Sequence, residues 1–98
     1  MPPLDGIRVV DIASEAGAYC TKLLADLGAQ VIKVEPPGGS HERSIPPFMN
    51  CEPTTSLHYL HFHRGKQSVV IDSHEASGQE LFSKLIQSTD ILVEDRSM

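Results

Sequence analysis

Apolar positions follow two alternating rhythms along this chain. Gly6-Ile7-Arg8-Val9-Val10-Asp11-Ile12 is a short β-branched run that follows a Pro-Pro turn signal and predicts a strand. From Ala16 to Leu27 the spacing changes, with Tyr19, Leu23, Leu24 and Leu27 falling at helical intervals between Ser14, a natural N-cap, and Gly28, a natural stop. An amphipathic helix is expected there. Ala29-Gln30-Val31-Ile32-Lys33-Val34 returns to the strand rhythm, so the opening of the chain reads as strand, helix and parallel strand.

Between Glu35 and Pro53 the pattern dissolves into Pro36-Pro37-Gly38-Gly39-Ser40 and Pro46-Pro47, which suit neither helix nor interior strand. A loop of this length in a compact domain points mildly to binding. Ser56 to Phe62 fits a short helix or a strand. Gln67 to Asp72 then predicts a third strand, Glu75 to Gln87 a second amphipathic helix through Leu81, Phe82, Leu85 and Ile86, and Asp90 to Glu94 a fourth strand. The expected fold class is α/β, a Rossmann-like open parallel sheet built from two βαβ units, with residues 1–98 forming one domain.

Composition narrows the function classes. With 8 Lys+Arg against 13 Asp+Glu, the formal charge is −5, and no basic stripe speaks for nucleic acid. No apolar run approaches the roughly 20 residues of a membrane span, and the amino terminus resembles neither a secretory signal nor a transit peptide. A soluble cytoplasmic protein is expected. Cys20 and Cys51 have no CxxC spacing and read as reduced structural thiols, Cys20 on a packed turn of the first helix. His58, His61 and His63 lack a carboxylate or cysteine at metal-ligand spacing, so no metal is expected and they read as loop or packing residues.

Open parallel sheets bind ligands at the carboxyl ends of their strands. Asp11 to Ala16, Glu35 to Ser40, Asp72 to His74 and Glu94 to Met98 should therefore line one edge, and helix starts among them suit a phosphate-bearing ligand. The first turn holds one glycine where GxGxxG needs three, and there is no GxxxxGK[ST], which excludes the usual dinucleotide and P-loop readings. Arg43, Arg64 and Lys66 are candidate phosphate cations.

Pro3 to Asp11, Gly17 to Gly39 with its Leu-Leu-Ala-Asp-Leu-Gly-Ala core, Arg64-Gly65-Lys66-Gln67-Ser68-Val69 and Thr89 to Glu94 closely resemble the opening of the class III CoA-transferases, the CaiB/BaiF family. The resemblance covers essentially the whole chain and implies the amino-terminal, CoA-binding part of a longer enzyme. It implies an acyl-CoA:carboxylate CoA-transferase working through an aspartyl mixed anhydride on a residue beyond this region, so no residue here is assigned a catalytic role. An alpha-methylacyl-CoA racemase and a catalytically empty module are the alternatives. Coenzyme A, an acyl-CoA and an acceptor acid are the implied ligands, and an interlocked homodimer the implied assembly. By the same resemblance, CoA contacts fall on Glu15 and Ala16, on Ile71, Asp72, Ser73 and His74, and on Asp95, Arg96 and Ser97. Glu15 and Asp95 bring negative charge towards an anionic ligand. The family's arginine is absent where Pro36 stands, which leaves cation duty to Arg43, Arg64, Lys66 or Arg96.

Overall fold

The computed structural model describes residues 2–49 and 55–95. Four strands form one parallel sheet: β1 (Arg8–Asp11), β2 (Gln30–Glu35), β3 (Gln67–Val70) and β4 (Ile91–Val93), in the order β3-β2-β1-β4. Helix α1 (Glu15–Asp26) joins β1 to β2, α2 (Leu57–His63) precedes β3, and α3 (Ala76–Gln87) joins β3 to β4. The open segment Ser56 to Phe62 is thus helical, started by Ser56, whose hydroxyl accepts from the Tyr59 amide. The loop after β2 contains a short 3-10 turn, His41–Ser44.

The α/β expectation holds, with one refinement. β1 and β2 are neighbours paired Val9 to Val31, but β3 and β4 lie at opposite edges, so α3 crosses the whole sheet. Right-handed connections then place α1 and α2 on one face and α3 on the other. Strand order reverses at β1, between its neighbours β2 and β4, which is where an open sheet of this kind forms its crevice.

The core is small and centred on β1 and β2. Val9, Val10 and Val31 are fully buried, and Leu4, Ile7, Leu24, Ala25 and Val93 pack around Val9, Ala29 and Val31. The buried face of α1 differs from the expected one. Gly17, Ala18 and Thr21 face inward, while Tyr19, Leu23 and Leu27 are exposed. Close approach explains the choice: a Cβ on Gly17 would sit 2.6 Å from that of Ala13, so only small residues let the helix settle on the strand ends. Cys20 lies on the outer side and is exposed, which corrects its reading as a packed thiol. Cys51 lies outside the described residues.

Candidate functional site

Where β1, β2 and β3 end, a cavity of about 560 Å³ opens between the strand termini and α3. Ile12, Ala13 and Ser14 come to it from β1, Pro36, Ser40 and His41 from the loop after β2, and Ile71 and Ser73 from the turn after β3. Asp95 approaches it from the end of β4, and Gln79, Phe82 and Ser83 form the α3 side. These are the strand-end loops that sheet topology nominates, together with a helix face that it does not. The mix of apolar side chains with a few hydroxyl and amide groups suits an organic ligand larger than a simple anion.

The start of α1 is already engaged by a carboxylate. Asp95 accepts from the Ser14 amide at 2.9 Å, the Ser14 hydroxyl at 2.7 Å and the Gly17 amide at 2.9 Å. Hydrogen bonds from Ser14 hold its carboxyl below the ordinary aspartate range. Ser14 occupies the expected N-cap position, yet its side chain makes no cap; Asp95 does that from 81 residues away. Glu15 meets His41 at 3.6 Å on the exposed rim, and Ala16 is exposed beside it.

Ile71 is buried and its amide donates to the Glu35 carbonyl, which ties the β3 turn to the end of β2. Asp72 accepts from the His74 amide, closing an Asx turn that leaves Ser73 and His74 exposed. α3 presses on this turn: a Cβ at Gly78 would fall 1.8 Å from the Asp72 carbonyl oxygen.

The candidate cations divide. Arg43 donates from Nε and Nη2 to both oxygens of Glu35 at 2.7 and 2.8 Å, stacks over the Tyr59 ring at 4.1 Å, and is about half exposed. Arg64 sits exposed in the turn after α2, away from the cavity lining. Lys66 is not at the mouth. Its side chain is buried, with Nζ 3.0 Å from Asp11, and burial pushes its amino group down in pKa, against the opposing pull of Asp11. Arg96 and Ser97 lie outside the described residues.

His63, one of the three histidines read as loop or packing residues, is buried at the end of α2. Its Nε2 lies 2.5 Å from the buried Glu42. Burial opposes ionisation of Glu42, but the hydrogen bond and coulombic attraction of His63, followed by those of Lys33, outweigh it and hold the carboxyl below its ordinary range. Among the described residues, no group of three His, Cys, Asp or Glu side chains is arranged to hold a metal ion. No helix there is long and apolar enough to cross a membrane.

Gln79, Phe82 and Ser83 were missed by sequence reasoning, as was the lining role of His41, one residue beyond the expected Glu35 to Ser40 loop. The helical spacing of 79, 82 and 83 marks one face of α3, but that signal reads first as core packing.

Known proteins resemble the chain over nearly all its length. A succinyl-CoA:mesaconate CoA-transferase of Haloarcula hispanica is 42% identical over 98 residues, covering 97% of this chain and 25% of its own. The succinyl-CoA:glutarate CoA-transferase of Mus musculus is 40% identical, covering 97% of this chain and 22% of its own. The crystal structure of a CaiB/BaiF family protein from Brucella suis superposes with a TM-score of 0.85 at 39% identity, over 94% of this chain and 25% of that one. The chain therefore spans about a quarter of the length of the relatives it matches. The model of CoA-transferase family III matches residues 4–98, and the chain belongs to that family.

Proposed function

We propose that this chain is the CoA-recognition domain of an acyl-CoA:carboxylate CoA-transferase. The observation that carries the reading is the coincidence of a strand-end cavity with a sequence 42% identical to a succinyl-CoA:mesaconate CoA-transferase. Racemase activity is the less favoured alternative, since the similar proteins just named are transferases. The acyl group moves through an enzyme carboxylate elsewhere in the protein; this chain's part is to bind and orient the CoA moiety.

The residues divide that work by chemistry. Ile12, Ala13, Ile71 and Phe82 offer apolar surface to the uncharged parts of CoA, and Ser73 and Gln79 offer hydrogen bonds. Carboxylates outnumber cations at the rim, so the phosphates depend on backbone amides and on Arg43, whose side chain is about half exposed in the loop after β2. A cytoplasmic setting and an interlocked homodimer complete the proposal.

The test is calorimetric titration of CoA and of 3′-dephospho-CoA. Binding of CoA that is weakened by Ser73→Trp in the β3 turn supports this assignment. Unchanged CoA affinity after that substitution removes the cavity from it.

A further inference from the structure

The loop between β1 and α1 gives Ile12, Ala13 and Ser14 to the cavity wall, yet its backbone polar groups are already spent within the protein. The Ile12 amide donates to the Val93 carbonyl at 3.0 Å, and the Ser14 amide donates to Asp95 at 2.9 Å. Ala13 is held at both ends. Its amide donates to Asp11 Oδ1 at 2.9 Å, and its carbonyl accepts from Lys33 Nζ at 3.3 Å. A backbone N–H can only donate and a carbonyl can only accept, so the direction of both bonds is fixed.

The two side chains that grip Ala13 are buried and are themselves held. Asp11 on β1 is fully buried, and the side chain of Lys33 on β2 is 3% exposed. Asp11 Oδ2 accepts from the Thr21 hydroxyl at 2.7 Å and lies 3.0 Å from Lys66 Nζ, which leaves Oδ1 to the Ala13 amide. Lys33 Nζ also lies 3.4 Å from Glu42 Oε1 in the 3-10 turn. One amine thus ties the loop after β1 to the loop after β2, and both loops border the cavity. Burying such groups carries a desolvation cost, and apolar side chains of equal volume often hold a core as well or better. What Asp11 and Lys33 add is direction.

The position of Ala13 matters beyond its own contact with the cavity. A Cβ at Gly17 would fall 2.6 Å from the Ala13 Cβ, so Ala13 also sets how closely α1 settles on the strand ends. We propose that Asp11 and Lys33 are positioning residues that hold the Ala13 segment of the cavity wall in the shape that receives CoA. Asp11 fixes the peptide between Ile12 and Ala13. Lys33 fixes the next one, between Ala13 and Ser14, with Asp95 on its other side. A wall held in this way is ordered before the ligand arrives, so binding does not bear the cost of ordering it. The ligand rests on the proposed function, whereas the grip on the loop stands on the hydrogen bonds alone.

Two measurements on the same variants test this: amide hydrogen exchange followed by NMR, and calorimetric titration of CoA under conditions where each variant is folded. Asp11→Ala should speed exchange at the Ala13 amide, and Lys33→Met at the Ser14 amide, each on the order of tenfold relative to Val10. Both should weaken CoA binding by about three- to tenfold. Val31→Ala, a core truncation that lowers stability without touching the loop, should keep the parent affinity. The double variant Asp11→Asn with Lys66→Met should recover most of the affinity lost in Asp11→Ala. Its amide oxygen still accepts from Ala13, and its Nδ2 can donate to Thr21, whose hydroxyl then donates to the Ala18 carbonyl 3.1 Å away.

Parent affinity in both single variants despite the faster exchange overturns the positioning role. An affinity loss that tracks stability, shared by Val31→Ala, overturns it as well, because any weakening of the fold would then suffice. If Asp11→Ala does not fold, Lys33→Met decides both measurements. Absence of CoA binding by the unaltered protein counts instead against the proposed function. Unchanged exchange at Ala13 and Ser14 in the variants then still overturns the grip.

Discussion

Arg43 grips both carboxylate oxygens of Glu35, the last residue of β2, and that bidentate pair anchors the loop after the strand. The Arg43 hydrogen bond is the main force holding the Glu35 carboxyl at about 2, with support from Ser68 and the Ser40 amide against the cost of burial. A carboxylate depressed in the folded state stabilises the fold above its unfolded pKa of 4.5 and loses that contribution as pH falls towards about 2. Arg43→Ala should cost on the order of 1–2 kcal/mol at neutral pH, because the guanidinium is half exposed and screened. Denaturant titrations from neutral to strongly acidic pH should show the gap between variant and parent narrowing below pH 4.5.

Lys66 and Asp11 form a pair with neither side chain more than 1% exposed. Breaking such a pair leaves one charge buried without compensation, so Lys66→Met should destabilise by about 3–5 kcal/mol. Adding Asp11→Asn should recover part of that loss, and a double-mutant cycle in urea measures the coupling. Equal and additive losses would place the energy in packing instead of charge.

How much of this was legible in the sequence depends on what each signal measures. Val9, Val10, Val31 and Ile32 marked their strands because period and β-branching both report burial in a sheet. The loops of the site followed from strand direction alone. The inner face of α1 did not, because leucine spacing identifies an apolar stripe without saying what covers it. Gly17, Ala18 and Thr21 won that face through a backbone approach that depends on Ala13, which sequence periodicity does not describe. The Asp95 cap and the His63-Glu42 contact are equally remote, joining residues 81 and 21 positions apart in the chain.

The exposed stripe on α1 predicts association. Tyr19, Leu23 and Leu27 recur at i+4 and are each more than 40% exposed, and Leu57 and Leu60 are exposed on the neighbouring α2. Analytical ultracentrifugation of the 98-residue chain should show concentration-dependent self-association. Leu23→Glu with Leu27→Lys should shift it towards monomer.

Gly78 is where α3 touches the β3 turn. Since a Cβ there would meet the Asp72 carbonyl at 1.8 Å, Gly78→Ala must push the helix or the turn aside. Overpacking of this kind costs roughly 1–3 kcal/mol, and the displaced turn carries Ser73 and His74. Thermal denaturation and CoA titration should both register the change, whereas Ser77→Ala, one position earlier and exposed, should leave both near the parent values.

Asp95 occupies the amides at the start of α1 that an anionic ligand would otherwise use. Its hydrogen bonds with Ser14 and Gly17 satisfy orphan donors and oppose the positive end of the helix dipole. Asp95→Ala removes that cap and should cost about 1 kcal/mol of stability. The same change frees the amides and deletes a negative charge beside the cavity, so affinity for a phosphate-bearing ligand should rise while stability falls. Asp95→Asn separates the two effects, because the amide oxygen still caps the helix but carries no charge. Its stability should stay close to the parent, and its affinity for CoA should exceed the parent's most clearly at low salt, where the lost repulsion is least screened. Weaker CoA binding by both variants, measured under conditions where each is folded, would instead make Asp95 a direct ligand contact and not a stand-in for the anion.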